Sequence, residues 1–487
     1  MKLETIVENS QIITILGNRD IEITGIENDS RKVSRGNMFI AIKGFTVDGH
    51  DYIDSAIDKG AICIVVSKDI PLERDDITFI RVDDTIDALS EYSSIFYGEP
   101  SRRLQVMGIT GTNGKTSITY MIQGIFEEAS RHTGIIGTMG SNFAGKVLDN
   151  RNTTPNSLII QRQLNEMLDA GMEFCAMEVS SHALELRRVR DVDFQVGIFT
   201  NLTEEHLDFH RTMEDYYNSK LKLFNRTKAY NIVNGDDIYG RRILQEVGNE
   251  VPMLTYGIDG DYDVYATDVD CHIAGVDFTL NTRKGSIPIE LKLLGRFNVY
   301  NALAAISCGM VYDIDLPTIK RGIEGIANIK GRFEIVPIDR DYSVIIDYAH
   351  TPDGLEEILS TIDQFAEGRK IVVFGAGGNR DRTKRPIMGE TVARHADLAI
   401  VTSDNPRFED PKAIIEDILV GIRKIGGDHV VIVDRRKAIE YALSIAMPDD
   451  IIVLAGKGHE TYTIMEDRVI DFDERQIVLD ILGDMHI

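Results

Sequence analysis

Residues 108–117 (GITGTNGKTS) combine three glycines with a lysine and a threonine, the residue types that bind the phosphates of a nucleotide. An apolar stretch precedes this segment and a helical pattern follows it, which is the strand–loop–helix context of a phosphate-binding loop. Glycine lets backbone N–H groups approach an anion, and the helix N-terminus adds a favourable partial charge. Lys115 can reach the β- and γ-phosphates, and the Thr116 hydroxyl can ligate Mg²⁺. The spacing is irregular, because Ile109 stands where the usual pattern has a glycine.

Two further residues follow apolar segments that read as neighbouring strands. Glu178 lies at the end of 174–179, and His206 lies shortly after 196–201. Because the phosphate loop also follows a strand, all three are expected at one edge of a parallel sheet. A carboxylate and an imidazole there can complete a divalent-cation site with water and phosphate oxygens. The alternative is that Glu178 caps the next helix and His206 packs in an ordinary loop, and the spacing favours neither.

Lys220 lies in an amphipathic helical pattern at 216–224. Lysine side chains in such helices ordinarily extend into solvent. On spacing alone, Lys220 is therefore expected to be a solvated residue without a chemical role.

Three loops near the C-terminus carry charged residues beyond apolar segments. The segment 375–386 places Arg380 among glycines and other cations, Arg407 follows Pro406, and Glu460 follows a glycine–lysine–glycine–histidine string. A guanidinium stiffened by an adjacent proline suits bidentate recognition of a carboxylate, and a glutamate can accept an ammonium. Together these loops predict an amino-acid pocket, and the alternative is three solvated loops.

The length of 487 residues predicts about three domains. The formal net charge of −25 argues against a nucleic-acid partner, because phosphate backbones require clustered Lys and Arg. No signal-peptide core and no apolar run of membrane length is present, so the expected location is the cytoplasm. Four widely spaced cysteines predict free, buried thiols rather than disulfides or a metal site: Cys63, Cys175, Cys271 and Cys308.

Apolar segments alternate with helical patterns along the chain, which predicts an α/β protein with mostly parallel sheets. In the central part, the strict alternation at 276–281 and 287–293 predicts an appended antiparallel hairpin. Breaks in the pattern divide the chain into three units: a small N-terminal α/β domain (1–99), a central P-loop-type domain (100–331) and a C-terminal Rossmann-like domain (332–487).

Taken together, these motifs resemble those of the Mur ligases, over essentially the whole chain. The loop at 111–116 has that family's own spacing, which accounts for Ile109. The strings DSR at 29–31 and DGH at 48–50 resemble the family's uridine-nucleotide region, and NTTP at 152–155 resembles its muramoyl-peptide region. The resemblance implies that a UDP-N-acetylmuramoyl dipeptide is bound by Ser30, His50, Asn152, Thr153, Thr154, Ser180 and Arg188.

The resemblance departs from the family pattern at one position near Arg188. Leu186 stands where some relatives have a glutamine. One hydrogen bond to the dipeptide substrate is therefore expected to be absent or replaced.

The resemblance also implies the ATP site and the catalytic residues. Lys220 would be carbamylated and, as an anion, would position Mg²⁺ together with Thr116, Glu178 and His206. The implied catalytic residues are Lys115, Glu178, His206, Lys220 and Arg332. The implied ATP-binding residues are Gly111, Thr112, Asn113, Gly114, Lys115, Thr116, Ser117, Asn298, Asn301, Arg332, Asp347 and His350.

The string DNPR at 404–407 resembles the signature of the branch that adds meso-diaminopimelate. Diaminopimelate ends in an amine and a carboxylate, whereas lysine ends in an ammonium alone. Arg407, with Arg380 nearby, would pair with the extra carboxylate and repel the ammonium of lysine. The binding free energies of the two amino acids would then differ by several kcal/mol. The resemblance implies that diaminopimelate is bound by Arg380, Asp404, Asn405, Pro406, Arg407, Gly456 and Glu460.

The implied reaction is ATP-dependent amide formation in peptidoglycan precursor synthesis. The γ-phosphate would move onto the D-glutamyl γ-carboxylate, and the amino group of diaminopimelate would attack the resulting acyl phosphate. The implied enzyme is a cytoplasmic monomer whose C-terminal domain closes onto ATP. The alternatives are a lysine-adding relative, a folylpolyglutamate-synthase-like ligase, and a non-catalytic nucleotide-dependent scaffold.

Overall fold

A computed structural model describes most of the chain as three main β-sheets covered by helices, with one separate two-stranded sheet. The predicted α/β class is confirmed. Each main sheet lies within one of the three predicted units, although the boundaries near 99 and 331 remain a prediction. The described residues are 1–8, 10–44, 46–70, 74–150, 152–248, 250–272, 274–466 and 468–484.

The first sheet has five strands in the order β1-β5-β4-β3-β2, with only β1 antiparallel to its neighbour among the described residues. Its strands are β1 (Ile12–Leu16), β2 (Gly25–Glu27), β3 (Asn37–Ile40), β4 (Cys63–Val66) and β5 (Thr78–Val82). Its helices are α1 (Leu3–Val7), α2 (Ile53–Asp58) and α3 (Thr85–Phe96), and two 3₁₀ turns cover Gly49–Tyr52 and Pro100–Arg102. Apolar residues are buried on both faces, as a parallel sheet requires.

The central sheet has eleven strands in the order β16-β15-β14-β13-β12-β11-β6-β10-β7-β8-β9. The strands are β6 (Gln105–Thr110), β7 (Thr133–Gly137), β8 (Gly140–Phe143), β9 (Lys146–Leu148), β10 (Phe174–Glu178), β11 (Phe194–Phe199), β12 (Tyr230–Asn234), β13 (Met253–Ile258), β14 (Val264–His272), β15 (Gly275–Thr282) and β16 (Gly285–Leu291). The helices are α4 (Lys115–Glu128), α5 (Ser157–Asp169), α6 (Ser181–Glu185), α7 (Leu207–His210), α8 (Met213–Phe224), α9 (Ile238–Glu246), α10 (Arg296–Val311) and α11 (Leu316–Glu324).

Strand β6 lies in the interior of this sheet, where β10 and β11 flank it and run parallel to it. Glu178 at the end of β10 is level with Ile109, and Phe199 at the end of β11 is level with Thr110. The strand ends therefore deliver the phosphate loop, Glu178 and the segment before His206 to one edge, as predicted.

The appended antiparallel part is larger than the predicted hairpin. β15 and β16 pair antiparallel as expected, but β14 pairs antiparallel with β15 as well, which makes three strands. The sequence concealed β14 because its second half alternates weakly and carries Asp268 and Asp270 at a register irregularity. The short antiparallel extension of β7, β8 and β9 was also not predicted.

The C-terminal sheet has six strands in the order β17-β18-β22-β19-β20-β21, with β17 antiparallel to β18 and the other described pairs parallel. The strands are β17 (Glu334–Ile335), β18 (Ser343–Asp347), β19 (Lys370–Phe374), β20 (Leu398–Val401), β21 (His429–Val431) and β22 (Ile451–Ala455), and a separate hairpin is formed by β23 (Tyr462–Met465) and β24 (Arg468–Asp471). The helices are α12 (Pro352–Asp363), α13 (Lys384–His395), α14 (Pro411–Ile425), α15 (Arg435–Ser444) and α16 (Glu474–Asp484).

Two general predictions can be checked against this fold. All four cysteines are free thiols; three of them are buried and Cys271 is partly exposed. Within the described ranges, no helix has both the length and the apolar character that a membrane crossing needs.

Candidate active site

The phosphate loop is shaped by two glycines that no other residue could replace without a collision. Gly111 has φ +153°, and a Cβ there would lie 1.7 Å from Thr200 Oγ1. Gly114 has φ +87°, and its Cβ would lie 2.3 Å from Asn301 Oδ1. Lys115 begins α4 and donates to the carbonyls of Gly111 (2.9 Å) and Thr112 (2.7 Å), so its ammonium lies directly over the loop.

Glu178 is a buried carboxylate beside the start of α4. Thr116 Oγ1 donates to Glu178 Oε1 at 3.0 Å, and the Thr138 backbone N–H donates to the same oxygen at 2.9 Å. The Thr138 hydroxyl donates to Glu178 Oε2 at 3.0 Å. The alternative that Glu178 caps the next helix is wrong, because Ser180 is the N-cap of α6 and accepts from the Ala183 N–H. Glu178 therefore faces the phosphate loop.

His206 lies in the left-handed backbone region (φ 59°) just before α7. Its ring centroid is 4.8 Å from that of His182. Burial lowers the pKa of His206 to about 3, so its imidazole is neutral and has a nitrogen lone pair available for a ligand. Its Nε2 lies 3.6 Å from the Glu205 carboxylate.

Glu205 is a site residue that the sequence analysis missed. One carboxylate oxygen lies near His206, and the other lies 3.8 Å from Nε2 of His350 in the C-terminal unit. Burial would raise the pKa of Glu205, but nearby cationic groups, Lys115 and Lys384 among them, outweigh it and lower the pKa. Only its position beside His206 in the sequence hinted at this bridging role.

The expectation that Lys220 is solvated is wrong. Its side chain is 1% exposed, its Nζ donates to the Gly111 carbonyl at 2.7 Å, and it lies 4.6 Å from the centre of the Tyr216 ring. Burial, with the nearby charge of Lys115, holds the pKa of Lys220 well below its ordinary value. A signal was present in the sequence, since Lys220 is four residues after Tyr216 and three before Leu223, on the apolar face of α8.

Two asparagines expected to bind ATP, Asn298 and Asn301, are buried beside the phosphate loop. Asn301 Oδ1 lies against Gly114, Asn301 Nδ2 donates to Asn298 Oδ1 at 3.0 Å, and Asn298 Nδ2 donates to the Leu294 carbonyl at 2.8 Å. This chain of amides places both residues beside the loop.

Arg332 reaches the phosphate loop from the C-terminal unit. Its Nη2 donates to Thr116 Oγ1 at 3.0 Å, and its guanidinium lies 4.8 Å from the centre of the Tyr348 ring. Asp347 accepts from the backbone N–H groups of Phe333 (2.7 Å) and Ala349 (2.6 Å), so it holds the backbone on either side. Asp347 thus orients the segment that carries Arg332.

Four residues predicted to bind the muramoyl dipeptide lie together next to Glu178. Thr154 Oγ1 donates to the Glu178 carbonyl at 2.8 Å, and the Ser180 N–H donates to Thr154 Oγ1 at 3.0 Å. Arg188 Nη1 donates to the Thr154 carbonyl at 2.9 Å. Thr153 Oγ1 lies 3.0 Å from the Thr138 hydroxyl that binds Glu178.

The other three predicted dipeptide residues lie elsewhere. Asn152 is exposed in the turn before α5. Ser30 and His50 are buried in the N-terminal unit. The His50 ring is held on both sides, since Nδ1 is 2.6 Å from Asp48 Oδ1 and Nε2 accepts from the Ser67 N–H at 3.2 Å. His50 therefore fixes the loop at 48–50 to the end of β4.

The DNPR segment follows β20 and borders a cluster of charged side chains. Arg407 has φ 52°, its N–H donates to the Ile464 carbonyl at 3.1 Å, and its Nη1 donates to the Gly378 carbonyl at 2.8 Å. Burial and the nearby charge of Arg380 lower the pKa of Arg407. A Cβ on Gly377 would lie 3.0 Å from Arg407 Nη1 and 3.8 Å from Arg380 Cγ, so both side chains pass beside this glycine, where an anion would relieve their repulsion.

A buried lysine, Lys457, lies next to Glu460 in this cluster. The sequence analysis did not select it. Lys457 is 0% exposed and lies 3.5 Å from Glu460 Oε2. Asn405 links them, because its Nδ2 donates to Glu460 Oε2 at 2.8 Å and its Oδ1 lies 3.3 Å from Lys457 Nζ. Asp404 is buried beside Gly456, where a Cβ would approach Asp404 Oδ2 to 2.8 Å.

Metal ligands are sparse at this site. Among the residues that the structure describes, no three His, Cys, Asp or Glu side chains cluster as metal ligands would. Any cation held by Glu178 would need the Thr116 hydroxyl and oxygens from substrate or water to complete its coordination.

Three family profiles match the chain and together span most of its length. The profile described as the Mur ligase family catalytic domain matches residues 22–97. The Mur ligase middle domain matches residues 109–309, and the Mur ligase glutamate ligase domain matches residues 331–458.

Curated relatives are similar over the full chain. The UDP-N-acetylmuramoyl-L-alanyl-D-glutamate–2,6-diaminopimelate ligase of Clostridioides difficile is 46% identical over 486 residues, covering 100% of both chains. The ligase of the same name from Caldanaerobacter subterraneus is 46% identical over 470 residues, covering 96% of this chain and 97% of the relative.

Solved structures share the fold of all or part of this chain. A structure of UDP-N-acetylmuramoyl-L-alanyl-D-glutamate–2,6-diaminopimelate ligase is 29% identical, with a TM-score of 0.70 over 100% of this chain and 99% of the other. The folylpolyglutamate synthase of Mycobacterium tuberculosis, at 18% identity and a TM-score of 0.64, covers 76% of this chain and 91% of its own and shares the fold alone.

Proposed function

This chain belongs to the Mur ligase family, and from that premise we propose that it joins meso-diaminopimelate to the D-glutamyl γ-carboxylate of UDP-N-acetylmuramoyl-L-alanyl-D-glutamate, with ATP converted to ADP and phosphate. The 46% identity to ligases of that name over the whole chain supports the proposal. Because the reaction consumes ATP and a nucleotide-linked precursor, we place it in the cytoplasm, in peptidoglycan precursor synthesis. We propose that it acts as a monomer.

In the first step the γ-carboxylate attacks the γ-phosphorus of ATP, and ADP leaves. A carboxylate alone is a poor electrophile, and the acyl phosphate formed supplies a good leaving group. Lys115 and Arg332 would neutralise charge on the transferring phosphoryl group, by position and electrostatics rather than covalent chemistry. The contact of Arg332 with Thr116 supports this, because it brings the second cation to the phosphate loop.

In the second step the amine nitrogen of diaminopimelate attacks the acyl carbon. A tetrahedral intermediate forms, phosphate departs, and the nitrogen loses a proton. The cluster of Thr153, Thr154, Ser180 and Arg188 around Glu178 supports a position for the D-glutamyl end beside the phosphate loop. Leu186 cannot donate the hydrogen bond that a glutamine would, so Arg188 and Ser180 are the polar groups that we assign to this end.

We assign an Mg²⁺ ion to the region of Glu178 and Thr116. The carboxylate of Glu178 and the hydroxyl of Thr116 are oxygen donors, which Mg²⁺ prefers, and the neutral imidazole of His206 adds a further donor. Bound there, the ion would supply electrostatic stabilisation to the phosphates. Thr116, Glu178 and His206 are the residues that we assign to hold it.

We also propose that Lys220 is carbamylated. Its buried Nζ has a pKa held well below the ordinary value, which raises the fraction of neutral amine at neutral pH. A neutral amine can attack CO₂, forming an N–C bond and releasing one proton to solvent. The resulting anion would offset the positive charge of Lys115 and add an oxygen donor near the phosphate loop.

For the amino acid, we assign Arg407 and Arg380 to the distal carboxylate and Glu460 to the amine. Asp404, Asn405, Pro406 and Gly456 would form the walls that hold them. A lysine-adding relative is the second candidate within the family, and the two arginines weigh against it because they would repel lysine's ammonium.

For the nucleotide, Asn298 and Asn301 are assigned to adenine and His350 and Asp347 to the side of the site formed by the C-terminal unit. Ser30 and His50 are assigned to the uridine nucleotide, with His50 acting through the loop that it fixes. The domain limits near 99 and 331 belong to the same proposal.

One observation carries the proposal: the Thr116 hydroxyl contacts both Glu178 and Arg332, so the phosphate loop, the carboxylate of β10 and the C-terminal unit meet at one oxygen. The test is mass spectrometry of the product formed from ATP, the UDP-muramoyl dipeptide and diaminopimelate. A product equal to the dipeptide plus diaminopimelate minus one water supports the proposal. Hydrolysis of ATP without that product contradicts it.

A further inference from the structure

The loops after β19 and β20 are joined by a third arginine that the proposed chemistry does not use. Arg385 lies in the first turn of α13, and its side chain is 0% exposed. Buried guanidinium groups are rare unless they are paired with acidic groups. The partners of Arg385 therefore identify the segments that it connects.

Arg385 makes a fork-shaped pair with Glu409. Its Nη2 donates to Glu409 Oε1 at 2.9 Å and its Nη1 donates to Oε2 at 3.0 Å. Nη1 also donates to Asp417 Oδ2 at 2.9 Å, and Nη2 lies 3.3 Å from the Gly377 carbonyl. One side chain therefore connects the loop before α13, the loop before α14, and α14 itself.

These two loops are also bonded directly to each other, beside Arg380 and Arg407. The Arg407 guanidinium donates to the Gly378 carbonyl at 2.8 Å, and the Gly378 N–H donates to the Asn405 carbonyl at 2.9 Å. The Phe408 N–H donates to Asn379 Oδ1 at 3.1 Å, and the Asn379 N–H donates to Glu409. Because Asn379 immediately precedes Arg380, the Arg385–Glu409 pair bears on both arginines.

The loops adopt backbone conformations that require such support. Arg407 has φ 52° and Asn379 has φ 53°, both in the left-handed region that non-glycine residues rarely adopt. The loops also approach closely, since a Cβ on Gly378 would lie 1.9 Å from the Pro406 carbonyl oxygen. Strained conformations of this kind persist only where the surrounding contacts fix them.

We propose that Arg385 is a positioning residue that, through Glu409, sets the directions of Arg380 and Arg407 and thereby the selectivity for an amino acid with a distal carboxylate. This inference rests on the proposed function. With Nη1 of Arg407 used by Gly378, the carboxylate of the ligand is taken by the Nε–Nη2 edge, and that edge points correctly only while the loops stay joined. Arg385 itself contacts no substrate in this scheme.

The test compares Arg385→Lys and Glu409→Gln with the wild type. A lysine cannot form the fork, and a neutral amide weakens it without removing bulk. The matched control is Arg382→Met, because Arg382 pairs with the same Asp417 at 3.0 Å from an exposed position. We measure kcat and KM for meso-diaminopimelate, lysine, ATP and the UDP-muramoyl dipeptide, together with the melting temperature.

We expect Arg385→Lys and Glu409→Gln to raise the KM for diaminopimelate about tenfold or more. The KM values for ATP and the dipeptide should stay within about twofold, and the preference for diaminopimelate over lysine should fall by a similar factor. Arg382→Met should match the wild type. The double variant should be no worse than the poorer single one, since both act through one pair.

Three results would overturn the inference. One is an unchanged preference for diaminopimelate in Glu409→Gln, which should fold even if Arg385→Lys does not. Another is an equal rise in all three KM values, which would indicate a merely structural role. The third is additive effects in the double variant. If the wild type itself shows no preference for diaminopimelate over lysine, the proposed function fails and the inference falls with it.

Discussion

Arg332 Nη2 lies 3.0 Å from Thr116 Oγ1, although the two residues are 216 positions apart, one before β17 and the other in α4. The same hydroxyl donates a hydrogen bond to Glu178. One oxygen therefore accepts from an arginine of the C-terminal unit and donates to a carboxylate of the central unit. A hydroxyl at this point can exchange these partners for a cation and phosphate oxygens. The contact thus couples the position of the C-terminal unit to what the phosphate loop holds.

The first prediction concerns the Thr116 hydroxyl. Thr116→Val keeps the shape but removes the oxygen, and we expect kcat to fall by a factor on the order of 10², as for loss of one preorganised electrostatic contact. The control is Thr116→Ser, which keeps the oxygen and should stay within a few-fold of the wild type. Steady-state phosphate release at saturating substrates measures this, and equal rates for the valine and serine variants would refute the role.

The second prediction concerns the buried amine of Lys220. Its pKa is lowered in the folded protein, so between the folded and unfolded pKa values the unfolded chain binds the extra proton. The stability of the wild type relative to Lys220→Met should therefore rise with pH, by about 1.4 kcal/mol per unit within that window, up to about pH 10. Urea unfolding in CO₂-free buffer at several pH values measures the difference. A difference independent of pH would mean that Lys220 is charged when folded.

The third prediction concerns carbamylation at the same residue. Wild-type protein equilibrated with ¹³C-labelled bicarbonate should give a carbamate NMR signal that is absent from Lys220→Met. Removal of CO₂ should lower kcat of the wild type reversibly. A labelled carbamate signal of the same intensity in the methionine variant would place the modification elsewhere.

The fourth prediction concerns Lys457 and the proposed amine acceptor. Burial raises the pKa of Glu460, and the charge of Lys457 opposes that rise. In Lys457→Met the pKa of Glu460 should rise further, so the carboxylate becomes protonated and loses the amine at a higher pH. As the pH is lowered, the KM for diaminopimelate should therefore start to increase earlier, at a higher pH, in Lys457→Met than in the wild type. The KM for ATP should depend on pH in the same way in both proteins. Parallel diaminopimelate profiles would contradict this.

The fifth prediction concerns Arg407. Arg407→Ala should raise the KM for diaminopimelate by a factor on the order of 10 to 10², because the distal carboxylate loses a charge-assisted pair. The KM for ATP should change little. Arg407→Lys keeps the charge without the fork and should be intermediate. Equal loss for both substrates would mean that Arg407 is structural.

Much of the fold was predictable because the hydrophobic periodicity of a strand or a helix can be recognised within one short segment of the sequence. The strand that ends at Glu178 was predicted within one residue, at 174–179 against Phe174–Glu178, since a parallel strand buried on both faces is a continuous apolar run. β14 was missed because its two aspartates interrupt the alternation. The hairpin of β23 and β24 was missed because its two strands are short and mostly exposed, so no clear alternation of buried and exposed residues marks them.

The site was predictable where chemistry is local in sequence and not where it depends on packing. The phosphate loop is a contiguous motif, so its residues were evident. Lysine is usually solvated, so residue type argues against burial of Lys220, although its place on the apolar face of α8 is visible in the sequence. Arg385 and Lys457 act by connecting segments that meet only in the folded chain, which no spacing rule displays.

The central claim is that ATP energy is used to attach an amino acid chosen by its distal carboxylate. The most direct measurement is kcat/KM from phosphate release, with the UDP-muramoyl dipeptide and ATP held at saturation, for meso-diaminopimelate, lysine and ornithine in parallel. We predict turnover with diaminopimelate that exceeds both others by a factor on the order of 10² or more, and no phosphate release without the dipeptide. Turnover with lysine but not diaminopimelate would contradict the specificity, and no turnover with any of the three would contradict the ligase activity itself.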